Sequence, residues 1–389
     1  MVRWLWKTVD WVCEWVWPHV DAQPPLLSVQ FDITNACNLR CDHCYLPHHH
    51  NVGALTYAQW LIVVAQYEQL LQRLHMVPKI TLCGGEPLLA PFVEPLLREL
   101  RRRFPTADLS VQSNGTIITE RVARMLCDLA VFVQISVDGP DAARHDAIRG
   151  AGSFAKTMAG CAYLQHAAVP YHFQAVLSER SVPWVDDFFH VARAHHAETM
   201  DFVRLVLEGH AEQLTATGVD RPLVGAALHQ AYTAIFAAAQ RYNVSTNTAG
   251  PLWHLIEPEL GTPDNTGFGS FVIDYQGGFK VTSRTPTVLG NVLQTDMAEL
   301  FLRHPLMQQL RENKIDGCGT CSHFVACRGD RNASFAIHGH FFGPDTACWY
   351  WQQWIKSIRQ VASYSLHERK NVYGTIQTAH AARVGTSAH

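Results

Sequence analysis

A chain of 389 residues with 48% apolar and 17% charged side chains can build one large domain plus a small one, and is not globally disordered. Its net charge of −3, with no dense Lys/Arg block, gives no case for a nucleic-acid surface, and its apolar runs are too short and too interrupted for a transmembrane segment. Eleven cysteines without a secretion signal argue against a disulfide scaffold; seven fall into two groups with ligand-like spacing, which favours a reducing cytoplasm and metal or cluster binding.

The chain opens on a Trp-rich segment, residues 1–25, with Trp4, Trp6, Trp11, Trp15 and Trp17. Lys7, Asp10 and Glu14 interrupt it, so it is not a signal-peptide core. Trp4, Trp11 and Trp15 fall on one helix face that can pack against the rest of the chain. The competing reading is a grip on a partner, a leader peptide or a membrane surface. An apolar strand over Leu27–Thr34 then runs into Cys37, Cys41 and Cys44, spaced C-x3-C-x2-C. Three thiolates can hold a four-iron cluster and leave one iron without a protein ligand, where a small molecule can bind. A structural zinc site or a chance group of cysteines is the alternative. His48-His49-His50 reads as a solvated loop before it reads as a metal site.

Thr56 is placed to cap a helix reaching about His75, and further strands are expected near Lys79–Cys83, Asp108–Ser113, Val131–Val137, Tyr171–Leu177 and Asp201–Val206. Ser153 is expected to cap another helix through Leu164. Repeated strand–helix alternation implies a parallel sheet, either doubly wound or an incomplete α/β barrel. The first four strands each end in a small polar or glycine-rich cluster: the cysteine loop, Gly84-Gly85-Glu86-Pro87, Ser113-Asn114-Gly115 and Ser136-Val137-Asp138-Gly139. Turn formation alone accounts for any one of them. Together they suggest one shared site at the mouth of a curved sheet. An alanine-rich helix follows, about Leu223 to Arg241, then a Gly/Thr/Pro-rich boundary at Gly261–Gly269 and a hairpin, Phe271–Asp274 with Phe279–Thr282, turned by Gly277-Gly278. Cys318, Cys321 and Cys327, spaced C-x2-C-x5-C, and the later Cys348 can close the coordination of zinc or of a four-iron cluster. Cys13, Cys83, Cys127 and Cys161 read as small buried hydrophobes, and the tail beyond about His367 as disordered.

The cysteine loop, the Gly-Gly-Glu-Pro run and the clusters after the third and fourth strands resemble the radical S-adenosylmethionine (radical SAM) superfamily, over about Leu27 to Gly209. The resemblance implies a partial (β/α)6 TIM-like barrel over residues 26–210. After it come a helical connector (211–260), a small cysteine-rich domain with a hairpin (261–352), and a terminal helix and tail (353–389). It implies SAM contacts from Gly84, Gly85 and Glu86 to the methionyl amino group. Ser136 and Asp138 would face the ribose or methionyl end, Arg149 the methionyl carboxylate, and Asn114 is a further contact. It implies a reaction in which a reduced cluster donates one electron to SAM, yielding methionine and a 5′-deoxyadenosyl radical that takes a hydrogen atom from substrate.

The second cysteine group is similar to the SPASM/twitch extension of that superfamily. Full SPASM domains hold two auxiliary clusters, but here Thr266, Thr282 and Asp330 stand where three further cysteines are expected, and hydroxyls are poor iron ligands. The implied cofactors are therefore SAM and two [4Fe–4S] clusters, one catalytic and one auxiliary. Relatives with this extension mostly modify peptides. The implied activity is oxidative peptide maturation, in particular side-chain cross-linking. The implied partners are a peptide with a leader segment and a small reductase such as flavodoxin or ferredoxin. Ser283, in place of an aspartate beside the hairpin, disfavours sulfatase maturation. The alternatives are a small-molecule dehydrogenase, for instance of an aminocyclitol, an epimerase using Cys83 or Cys161, and a non-catalytic iron–sulfur electron carrier.

Overall fold

Burial alternates along the strands, so each presents one apolar face to the helices and one polar face to the other side. In β1 (Leu26–Thr34), Leu27, Val29, Phe31 and Ile33 are buried in the core while Ser28 and Gln30 point the other way. The same alternation recurs in β4 (Phe132–Ser136), with Gln134 and Ser136 opposite Val133 and Ile135, and in β5 (Tyr171–Leu177), with His172 and Gln174 opposite Phe173 and Ala175. The computed structural model describes residues 25–353 and 355; the readings of the Trp-rich segment and of the tail lie outside the described residues.

With β2 (Val77–Gly84), β3 (Asp108–Ser113) and β6 (Met200–Arg204), these strands form a parallel sheet in the order β6-β5-β4-β3-β2-β1. Strands that neighbour one another in chain order, with no reversal, wind in one direction. That is the path of a TIM-like barrel; a doubly wound sheet reverses at a switch point. The sheet is a partial TIM-like barrel in a mixed α/β fold. Helices α1 (Tyr57–Leu74), α2 (Val93–Arg103), α3 (Glu120–Asp128), α4 (Ala142–Arg149), α5 (Ser153–His166) and α6 (Val185–Ala194) connect the strands. Thr56 caps α1 through a capping box with Gln59, and Trp60, Val63, Tyr67, Leu70 and Leu74 fill its buried face. Ser153 does not cap α5. Gly152 occupies the cap position, and the Ser153 hydroxyl donates to Asp146 Oδ1 at 3.1 Å.

Beyond α7 (Glu212–Thr217) and α8 (Gly225–Tyr242), the hairpin strands are β7 (Ser270–Ile273) and β8 (Gly278–Lys280), followed by β9 (Val288–Asn291). β7 pairs parallel with β1, Ser28 opposite Ser270 and Phe31 opposite Ile273, so the hairpin extends the barrel sheet. This pairing covers the edge that β1 would otherwise leave open. The apolar core crosses the same seam: Tyr67 meets Phe271 at 6.1 Å between ring centroids, and Phe271 stacks on Phe279 at 4.8 Å. Gln66 of α1 donates to the Val292 carbonyl (2.7 Å) and accepts from the Met297 N–H (2.8 Å) at the start of α9 (Met297–Arg303). Helices α10 (Pro305–Arg311), α11 (Phe324–Cys327) and α12 (Arg331–His338) complete the described chain. Among the described residues no helix is long and apolar enough to cross a membrane.

Candidate active site and second cysteine cavity

The cysteine loop leaves β1 through a polar clamp. Asn51 Oδ1 accepts from the N–H groups of Asn35 (2.7 Å) and Ala36 (3.0 Å), its Nδ2 donates to the Thr34 hydroxyl (2.8 Å), and Asn35 Nδ2 donates to the His48 carbonyl (2.6 Å). Cys37, Cys41 and Cys44 are half-buried. Burial pushes all three thiols above their ordinary value, Cys41 to about 12, while the Arg149 guanidinium opposes the shift. The thiols must lose their protons to ligate, so binding a metal centre here releases protons. The Leu39 N–H already points at Cys37 Sγ (3.4 Å), a donor of the kind that stabilises a ligating sulfur.

The Gly-Gly-Glu run seats this loop. Gly84 has φ +124°, and a Cβ there would lie 2.1 Å from the Thr34 carbonyl; at Gly85 it would lie 2.3 Å from the Ala36 carbonyl. That close approach lets the N–H of Gly85 reach the Thr34 carbonyl and that of Glu86 the Ala36 carbonyl, both at 2.8 Å. Glu86 itself is fully buried. Its carboxylate accepts from Asn114 N–H (2.8 Å), the Ser113 hydroxyl (3.0 Å) and Leu88 N–H (3.2 Å). Burial pushes its carboxyl up to about 7 in spite of these donors. Glu86 ties the β2 loop to the β3 loop.

Asp138 plays the matching part after β4. It is buried, pairs with Arg149 Nε and with His43 Nε2 (3.2 Å), and accepts from the Val176 N–H (2.7 Å). Burial alone would raise its pKa, but Arg149 and His43 hold it well below the usual carboxylate range. The Ile148 carbonyl receives the Asp42 N–H (3.0 Å), which docks the end of α4, and with it Arg149, on the cysteine loop.

These parts surround one cavity of about 230 Å³ at the C-terminal ends of the strands. Of the residues expected from the sequence, Cys37, Cys41, Cys44, Gly84, Gly85, Asn114, Ser136 and Arg149 line it. Glu86 and Asp138 stand behind its wall, their oxygens engaged by protein donors. Sequence reasoning passed over the floor: Gln30, Gln112, Gln134 and Gln174, one from each of four strands. The signal for them is polar residues alternating with apolar ones in strands that a packed barrel would fill with aliphatic side chains. Arg204 and Arg284 also face the cavity and were passed over, because neither lies in a recognisable motif.

Cys318, Cys321, Cys327 and Cys348 line a second cavity, of about 200 Å³. The N–H groups of Asp345 (3.5 Å), His323 (3.4 Å) and Gly329 (3.4 Å) point at the sulfurs of Cys318, Cys321 and Cys327 respectively. Four thiols can close on zinc at about 2.3 Å or hold a four-iron cluster. Among the described residues no three metal-ligating side chains converge tightly enough for a single ion. The space and donor set fit a cluster. Arg204 joins the two cavities: its guanidinium makes a two-pronged contact with buried Asp345 (2.7 and 3.0 Å) and reaches Asp330 (3.3 Å). Thr266 and Thr282 line a separate polar pocket with Asn332, which accepts from the Thr282 hydroxyl (2.8 Å). Asp330 caps α12.

Comparison with known proteins agrees with this layout. Residues 31–179 match the radical SAM superfamily. The chain is 26% identical over 353 residues to an AdoMet-dependent heme synthase of Oleidesulfovibrio alaskensis, covering 85% of this chain and 89% of that protein. It is 29% identical over 344 residues to the mycofactocin maturase MftC of Mycobacterium ulcerans, covering 83% and 87%. Its fold is similar to that of Streptococcus suis SuiB bound to its precursor peptide SuiA, with a TM-score of 0.67 at 13% identity over 87% of this chain and 78% of that one. Residues 31–179, which carry the cysteine loop and the first five strands of the barrel, are a radical SAM domain.

Proposed function

We propose that this enzyme cleaves SAM reductively and uses the resulting radical to oxidise a peptide, joining side chains in ribosomal peptide maturation. The observation that carries the reading is the pair of cysteine-lined cavities, one at a barrel mouth with the loop thiols Cys37, Cys41 and Cys44 beside Cys83 of β2 and one with Cys318, Cys321, Cys327 and Cys348, linked through Arg204 and Asp345. Cys37, Cys41 and Cys44 would hold one [4Fe–4S] cluster, and Cys318, Cys321, Cys327 and Cys348 an auxiliary one. Bound and reduced, the first would supply the electron that breaks the S–C5′ bond of SAM; bound and oxidised, the second would supply an acceptor for the electron leaving the substrate.

The chain's own residues do the positioning. Arg149, held by Asp138, which His43 also contacts, presents its guanidinium to the methionyl carboxylate. The Gly84–Gly85 backbone is open to the methionyl ammonium, Ser136 supplies a hydroxyl for the ribose, and Asn114 closes the side near Cys37. Thr266, Thr282 and Asp330 each have protein partners, in keeping with a single auxiliary cluster. On this reading residues 26–210 form the catalytic barrel, 211–260 the connector and 261–352 the auxiliary-cluster region. A flavodoxin- or ferredoxin-type reductase supplies electrons in the cytoplasm.

The maturase relative supports a peptide substrate. The heme synthase relative favours a second reading, oxidation of a tetrapyrrole. Anaerobic reconstitution followed by SAM and dithionite should release 5′-deoxyadenosine, and Cys37/Cys41/Cys44→Ala should release none. Reconstituted protein that binds iron yet never cleaves SAM would leave the electron-carrier alternative standing. A peptide encoded beside the gene that gains no cross-link, alongside a porphyrin that is consumed, would replace the first reading by the second.

A further inference from the structure

The charges around the first cavity do not balance. No aspartate or glutamate lines it, while Arg149, Arg204 and Arg284 all do. Two of the three guanidiniums are matched from behind the wall: Arg149 by Asp138, Arg204 by Asp345 and Asp330. Arg284 makes no ion pair and no side-chain hydrogen bond among the described residues. Its electrostatic neighbour is the phenol of Tyr45, which is neutral and also lines the cavity. The hairpin carries Arg284 there: it follows β8, and its backbone N–H donates to the Thr282 hydroxyl at 3.4 Å. Besides the three thiols assigned to a cluster, the cavity offers Arg284 no carboxylate, and the guanidinium fork matches one. The floor beneath is built from the amides of Gln30, Gln112, Gln134 and Gln174, which offer donors and acceptors to neutral amide groups.

We infer that Arg284 is a substrate-specificity residue: it binds a carboxylate of the substrate, a second anion beside the methionyl carboxylate held by Arg149, and so orients an amide-bearing ligand over the glutamine floor. The inference rests on the proposed SAM site and, for the amide part, on the peptide reading. The carboxylate has two possible sources in a peptide, the chain terminus or an acidic side chain.

The test uses cluster-loaded, SAM-bound full-length protein in anaerobic equilibrium dialysis. The probes are N-acetyl-Ala-Ala-Phe as the free acid, the same peptide amidated, N-acetyl-Ala-Glu-Phe amide, and coproporphyrin against its tetramethyl ester. The parent should favour at least one carboxylate probe over its neutral partner by about tenfold, in line with a hydrogen-bonded ion pair out of bulk water. In Arg284→Gln that ratio should fall to within about twofold, and Arg284→Lys should keep part of it. Taking a ratio within each variant removes general effects on folding or loading. Preference for the free acid assigns the chain terminus; preference for the Glu peptide assigns a side chain. Arg284-dependent preference for the porphyrin acid alone keeps the carboxylate site and removes the peptide reading. Equal binding of acid and neutral probes by the parent, or an undiminished ratio in Arg284→Gln, overturns the inference. So does a loss of SAM affinity in Arg284→Gln as large as the loss of acid affinity, which would assign the residue to SAM.

Discussion

At the residue scale, the site depends on backbone crowding and on buried carboxylates. Gly84 combines a positive φ with a contact that no Cβ can share, so Gly84→Ala should shift the cysteine loop and cost on the order of 2–4 kcal/mol. Thermal unfolding together with iron per chain checks this: iron at the first site should fall while the four-cysteine site keeps its share. Asp32, buried beneath Cys83, gives a pH signature. Burial, helped by Asp274, pushes its carboxyl up to about 6 from 3.8, against the hydrogen bond from Gln30 and the charge of Lys280. Between those two pH values the folded state holds a proton that the unfolded chain has lost. Asp32's penalty is therefore absent below about pH 4, grows as the pH rises, and is complete above about 6. Asp32→Asn should raise stability at pH 7.5 by up to about 3 kcal/mol and change it little at pH 4, read by urea unfolding at both. A flat difference between the two pH values would exclude the burial shift. Motif reading located Glu86 and Asp138 but not their roles. A carboxylate in a loop looks the same in sequence whether it faces a ligand or, as here, three protein donors.

At the scale of elements, the decisive feature is how the C-terminal region is fastened to the barrel. The capping box at Thr56, the hairpin turn at Gly277 and the strand alternation are local, so they were legible: a cap, a turn and a period each depend on residues within one element. The β1–β7 pairing joins residues about 240 positions apart and has no local signature. The same holds for Arg204, which leaves the end of β6 to meet Asp345 beside Cys318. Burial works against both charges, yet Asp345 and Asp330 hold Arg204 protonated, and Arg204 holds Asp345 ionised. Arg204→Met leaves a buried carboxylate without its partner and should cost about 3–5 kcal/mol. Arg204→Met/Asp345→Leu should recover most of that loss, because removing both charges also removes the burial penalty. Guanidinium unfolding of the three proteins measures the coupling; simple addition of the two single effects would show that the pair is not a unit.

At the scale of the whole molecule, one cysteine site lies at the strand ends of the sheet and the other in loops and short helices beyond the hairpin, and Arg204 at the end of β6 joins them. If the second site holds an auxiliary cluster, Cys37/Cys41/Cys44→Ala should keep about four irons per chain after anaerobic reconstitution, with no zinc in their place. Removing Cys318 and Cys321 as well should take iron to near zero. Zinc alone in the triple variant would return the second site to a structural metal. The sequence by itself determined the strand–helix alternation, a parallel sheet and both cysteine sets, because spacing and periodicity act over a few residues and need no distant partner; the strand order decided for a barrel over a doubly wound sheet. Only the tertiary structure decided which polar groups face the cavity and which brace it from behind, that the hairpin completes the barrel edge, and that an unmatched arginine reaches the mouth. Those outcomes depend on which distant segments share a wall, and a buried charge shows its role only once its neighbours are in place.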